Sequence, residues 1–176
     1  MATLLHDVVR HLEHRQVSSA LIGGAALTYY GVARSTFDAD LLTVAREVLR
    51  TDFWVPLRAD ADIEVRIGDL DDPLAGVVRI SRSAQGGHAV DVVVAKHAFA
   101  REVVERAESV SIAGVSLRVA RRADLVLMKL YAAGPQDLWD VDRLLHGAGL
   151  ELIDEIDSRI RTLPEEAREV WARVRP

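Results

Sequence analysis

Apolar residues recur at helical spacing in the first stretch of the chain. Leu4, Leu5, Val8, Val9 and Leu12 form one stripe with charges opposite, which predicts an amphipathic helix over residues 3–15. Residues 18–22 are a short apolar run ending in Gly23-Gly24, the pattern of a buried strand and a turn. Residues 24–31 read as a short helix that stops at Gly31. Farther on, 38–44, 62–67, 76–82 and 88–95 predict strands, the last two joined by Gln85-Gly86-Gly87, with helices over 45–51 and 99–107. Residues 109–113 and 115–119, parted by Gly114, predict a hairpin. Past residue 120 the pattern turns helical throughout. An almost wholly apolar helix over 122–132, and so one buried on most sides, precedes amphipathic helices over 136–146, 151–161 and 165–174. The fold class is α+β with α/β-like alternation: a core over 1–120 and a helical C-terminal part over 121–176, packed together as one compact unit.

Composition narrows this picture. At 176 residues a chain buries roughly two-thirds of its unfolded surface and can build a core without disulfides or a structural metal. The absence of cysteine removes zinc-thiolate sites and a secreted disulfide framework, and it agrees with a reducing, cytoplasmic setting. The start of the chain lacks the charged, apolar and small-residue zones of a secretory signal. Eighteen residues without formal charge lie between Arg15 and Arg34, but Gly23, Gly24, Gly31 and several polar residues interrupt them. A strand, a turn and a short helix explain that stretch better than a membrane span. With 22 Lys+Arg against 27 Asp+Glu, a net charge of −5 argues against broad, charge-driven nucleic-acid binding, though one local basic groove stays compatible with it. Only two of the basic residues are lysines, Lys96 and Lys129, which singles out Lys129 in its apolar helix.

The chemistry concentrates in two short pieces, Leu21-Ile22-Gly23-Gly24 and Asp38-Ala39-Asp40-Leu41, separated by thirteen residues. Residues two apart on a strand share a face, so Asp38 and Asp40 project together. Two such carboxylates beside so much apolar flank call for a compensating cation, and hard carboxylate oxygens suit Mg²⁺. The glycine pair, between a strand and a helix, lets backbone approach a phosphate at a helix N-terminus. A phosphate cradle beside a metal-binding carboxylate pair is equipment for phosphoryl or nucleotidyl transfer.

This arrangement resembles the nucleotidyltransferase superfamily, and within it the abortive-infection (AbiEii/AbiGii) type of nucleotidyltransferase toxin. Besides the two pieces above, the resemblance rests on Arg34-Ser35-Thr36, on Asp91 in Ala89-Val90-Asp91-Val92-Val93, on Asp124-Leu125 ahead of Lys129, and on Asp137-Leu138-Trp139-Asp140-Val141, spanning about residues 17–145. It implies a mixed sheet flanked by helices, two Mg²⁺ ions held by Asp38, Asp40 and Asp91, and transfer of a nucleoside monophosphate from an NTP to an acceptor hydroxyl. Gly23 and Gly24 would hold the triphosphate, with Arg34, Thr36, Lys129 and Asp137 at the nucleotide, and Asp91 would accept the acceptor's proton. RNA, such as a tRNA end, or a protein would be the acceptor, with a cognate antitoxin or toxin as partner. The stretch Ala133-Gly134-Pro135-Gln136 departs from the toxins, many of which carry a basic residue there. A catalytically idle, antitoxin-like nucleotide-binding module and a small-molecule (antibiotic) nucleotidyltransferase are the other readings.

Each residue also has a plainer reading. Asp38 and Asp40 suit a solvated edge strand, and Asp91 suits alternation with its side chain toward water. Lys129 can pair with a carboxylate or snorkel outward, Asp137 and Asp140 can cap a helix, and Arg34 can be an exposed loop arginine. Asp60, Asp62 and Glu64 repeat the two-residue spacing without a glycine pair and read as a polar strand edge. Asp69, Asp71 and Asp72 lack calcium-loop spacing and read as a surface turn. His11 and His14, three apart on a helix, have no evident third ligand and read as surface histidines.

Overall fold

In a computed structural model, which describes residues 2–34, 38–82, 88–112 and 114–176, the predicted strands assemble into one mixed sheet. They are β1 (Ala20–Ile22), β2 (Ala39–Thr43), β3 (Asp62–Ile67), β4 (Leu74–Ser81), β5 (Ala89–Ala95), β6 (Glu108–Ile112) and β7 (Val115–Val119). Their spatial order is β3-β4-β5-β2-β1-β7-β6. β2 runs antiparallel to β1 and parallel to β5, and β1 runs parallel to β7, while β3-β4-β5 and β6-β7 are antiparallel. The central position of β2 overturns the edge-strand reading of Asp40, which is paired on both sides.

Alternation along the central strands separates two faces. Val90, Val92 and Val94 of β5 are fully buried, as are Val78 and Ile80 of β4, their cross-strand partners. Asp91, Val93 and Ala95 point the other way and are only partly covered. α1 (Ala2–His14) contributes Leu4, Val8 and Leu12, all without exposure, to the core, and it contacts β5 and β7. α2 (Gly23–Tyr29) starts directly after β1, and α3 (Ala98–Arg106) follows β5. α4 (Arg122–Ala132) packs against α5 (Pro135–Leu145), α6 (Leu150–Arg159) and α7 (Glu165–Val174), which accounts for its apolar surface.

Two expectations need correction. Residues 45–51 are not one α-helix but part of two 3₁₀ segments, Arg46–Leu49 and Thr51–Leu57, the second containing Pro56. The second segment buries Phe53 and Trp54, whose indole N–H donates to the Val48 carbonyl at 2.6 Å. That same segment overturns the surface reading of His11. His11 is buried, with Nε2 2.8 Å from the Phe53 carbonyl oxygen and its ring 5.1 Å from that of Phe53, edge-on, and burial lowers its pKa. His14 is exposed.

The acidic decoys behave as surface features. β3 is an edge strand with its Glu64 paired to Arg66, and Asp69 and Asp72 accept backbone N–H groups within their turn. The Gln85-Gly86-Gly87 turn lies outside the described residues. Among the described residues no helix is long and apolar enough to cross a membrane.

Candidate active site

Register brings the site together. Asp40 on β2 pairs with Asp91 on β5, Asp91 pairs with Arg79 on β4, and Ile22 on β1 pairs with Asp40. These four residues form one row across four strands, on the face opposite the buried valines. Asp38 stands just before β2, two residues from Asp40. The first, second and third carboxylates therefore meet although Asp91 lies some fifty positions away in the chain.

At one end of the row sits the glycine turn. Gly23 has φ +63, a left-handed conformation, and a Cβ placed on it would overlap the Asp40 carboxylate. The glycine therefore serves two ends, the tight entry into α2 and the close approach of Asp40. α2 begins at this pair, as the sequence implied.

Arg79 is the residue that sequence reasoning missed. Its guanidinium forks between two carboxylates, with Nη1 donating to Asp91 Oδ2 and Nη2 donating to Asp38 Oδ2, each at 2.7 Å. Asp38 Oδ1 also accepts the Ala89 backbone N–H at 2.9 Å. The one available signal was alternation: Arg79 falls between Val78 and Ile80, so it faces away from the core, yet which strand lies beside it cannot be read from its own segment.

The electrostatics are those of crowded acids. Burial, then the charges of Asp91 and Asp38, push the Asp40 pKa up to about 6, against the opposing pull of Lys129 and Arg79. Burial also raises Asp91, with Arg79 opposing it. The hydrogen bond to Asp38 and the Asp91 charge raise Arg79 in turn.

The remaining predicted residues form a second cluster. Lys129 Nζ lies 2.7 Å from Asp137 Oδ1 and 2.9 Å from Asp140 Oδ2, and Arg34 Nη1 lies 3.2 Å from Asp140 Oδ1. Asp140 is fully buried between these two cations, in ion pairs not aligned as hydrogen bonds. Burial would pull the Lys129 pKa down, but the hydrogen bond to Asp137 and the close negative charge of Asp140 outweigh it and hold it up. Asp137 also accepts the Gly134 N–H at 3.2 Å, capping α5, so capping and ion pairing coexist there. Arg34 thus faces Asp140 here, and Lys129 links the two clusters through its charge on Asp40. Thr36 lies outside the described residues.

Residues 1–175 match the model of a family described as nucleotidyl transferase of unknown function (DUF2204). The chain belongs to this nucleotidyltransferase family. It is accordingly a transferase by family, and the mixed, helix-flanked sheet is the family's fold. Among curated protein sequences none matches this nucleotidyltransferase.

Solved structures agree on the fold. An antigenic nucleotidyltransferase-like protein from Paracoccidioides brasiliensis aligns with TM-score 0.60 at 15% identity, over 98% of this chain and 85% of that one. ANT(2'')-Ia in complex with adenylyl-2''-tobramycin aligns with TM-score 0.57 at 18% identity, over 91% and 96%. The lincomycin-bound lincosamide antibiotic adenylyltransferase LnuA aligns with TM-score 0.51 at 10% identity, over 82% and 96%. At these identities the likeness is one of fold.

A divalent metal, implied by the superfamily, can be tested against the residues present. Asp91 Oδ1 is buried and has no hydrogen-bond partner, burial and the neighbouring acids raise the Asp40 pKa to about 6, and the donors are hard oxygens. Among the described residues no three acidic or histidine side chains close around a metal position as they stand, because Arg79 is the cation between Asp38 and Asp91. Arg79 is 39% exposed and long, so it can turn outward. The donor set, three hard carboxylates, is of the kind that suits Mg²⁺, and Arg79 is the cation that two of them hold in this structure.

Proposed function

We propose that this nucleotidyltransferase moves a nucleoside monophosphate from an NTP to an acceptor hydroxyl, dependent on Mg²⁺ held by Asp38, Asp40 and Asp91. The observation that carries the reading is the row itself: Asp40 and Asp91 in register on neighbouring parallel strands, with Asp40 seated against Gly23 at the mouth of the glycine turn. When bound, Mg²⁺ screens the charge of the triphosphate and its leaving pyrophosphate.

The protein's own residues do the rest. Gly23 and Gly24 receive the phosphates, and Lys129, anchored by Asp137 and Asp140, adds positive charge on the same side as Asp40. Arg79 holds Asp38 and Asp91 in place until the substrate complex forms. The acceptor oxygen forms a bond to the α-phosphorus, and the bond from that phosphorus to the pyrophosphate oxygen breaks. Pyrophosphate leaves with the electron pair, and the hydroxyl proton passes to Asp91, whose raised pKa suits a proton acceptor.

A toxin of the abortive-infection type would direct this transfer to RNA or protein, whereas two structural neighbours are antibiotic adenylyltransferases. The small-molecule reading is favoured here by an uncharged cavity beside the carboxylates. The chemistry is tested by incubating the protein with each α-labelled NTP, Mg²⁺ and a cell extract. Label should enter an acceptor with wild type and not with Asp38→Asn; equal labelling by the variant would refute the assignment.

A further inference from the structure

Beside the carboxylate row lies a cavity of about 700 Å³. We infer that it is the acceptor site, and that the acceptor is a small, uncharged, largely apolar molecule carrying a hydroxyl group; the inference rests on the transfer reading above. Its floor is the same sheet face: Leu42 and Val93 follow Asp40 and Asp91 by two residues, and Ile22 pairs with Asp40. A two-residue step along a strand is about 7 Å, so an occupant of the cavity can set a hydroxyl at the carboxylates. Phe99, Met128 and Tyr131 form the facing wall, from α3 and α4.

The lining decides the chemical class. Among the described residues around the cavity there is no Lys, Arg, Asp or Glu. Within the lining a polycationic aminoglycoside would lose its water against hydrocarbon with no carboxylate along the walls, and an RNA phosphate would meet no cation there. An uncharged apolar molecule loses nothing and removes Met128, Phe99 and Tyr131 surface from water. The volume is that of small-molecule sites, which combine apolar walls with a few polar groups that set orientation. Here that role falls to Tyr131 and His97, whose hydroxyl and Nε2 are 3.2 Å apart at the wall.

The test uses the full chain with chelator and no NTP, and the uncharged fluorophore N-phenylnaphthylamine as probe. Saturable binding is expected, displaced by naphthylethanol and not by tobramycin or tRNA. Ala98→Trp and Met128→Trp, both filling the cavity, should each weaken binding about tenfold or more while the far-ultraviolet circular dichroism stays native. Should one variant fail to fold, the other decides. No saturable binding, unchanged affinity in a folded tryptophan variant, displacement by tobramycin or tRNA, or probe binding lost as a second copy covers the site would each overturn the inference. Because neither NTP nor metal is present, failure of the labelling experiment leaves this result standing, and failure here leaves transfer to another acceptor standing.

Discussion

Asp40→Asn should stabilise the metal-free protein while abolishing transfer. The Asp40 pKa stands at about 6 against an ordinary 3.8. Folding therefore favours its neutral form: the stabilisation is complete below about pH 3.8 and is lost as pH rises through about 6. At pH 7.5 the ionised carboxylate costs about 3 kcal/mol, at roughly 1.4 kcal/mol per pH unit of displacement. Asparagine has nearly the same shape and no charge, so it removes that cost and relieves Asp91 of one repulsive neighbour. For a chain of this size the gain corresponds to a rise in melting temperature of about 6–12 °C. Thermal melts of both proteins with chelator, at pH 7.5 and pH 4, measure it. The difference should be large at the higher pH and nearly vanish at the lower. A destabilised variant at pH 7.5, or a difference that ignores pH, would refute the view that Asp40 is a strained acid awaiting a cation.

Other expectations follow from the same geometry. Arg79→Gln removes the cation between Asp38 and Asp91, so Mg²⁺ binding followed by calorimetry should tighten about tenfold, a gain of about 1.4 kcal/mol; weaker binding would show that Arg79 does not compete with the metal. Gly23→Ala puts a methyl group into the Asp40 carboxylate at a positive φ, and denaturant melts should show a loss of about 1–3 kcal/mol together with lost transfer. Asp124 is fully buried and pairs with Arg159 and, at 3.5 Å, Arg106, so Asp124→Ala should cost about 1–3 kcal/mol in denaturant melts by removing their buried partner, while Glu102 and Glu155 still pair with the two cations.

Asp124 also shows how meaning moves between sequence and structure. In the chain it is one acid ahead of Lys129, inside a resemblance; in the fold it ties α4 to α3 and α6, a structural role that depends on an arginine 35 positions away. His11 moved in the same way, from an exposed helix face to a buried ring, because a 3₁₀ segment with no strong periodicity folded onto it. Lys129 and Asp140, separable in sequence into a ligand and a cap, became partners in one buried ion pair.

The sequence by itself determined the elements whose signal is local. The α1 stripe, the strand-Gly-Gly-helix turn, the Asp38 and Asp40 pair and the β6-β7 hairpin follow from repeat distances of the backbone and from residues that tolerate special conformations. Only the tertiary structure decided strand order and register. Those depend on how distant apolar faces pack, and no local period encodes them. For that reason the aspartate pair was legible before the fold was known, whereas Arg79 between Asp38 and Asp91, and the uncharged cavity on the same sheet face, came into view only when β4, β5 and β2 lay side by side.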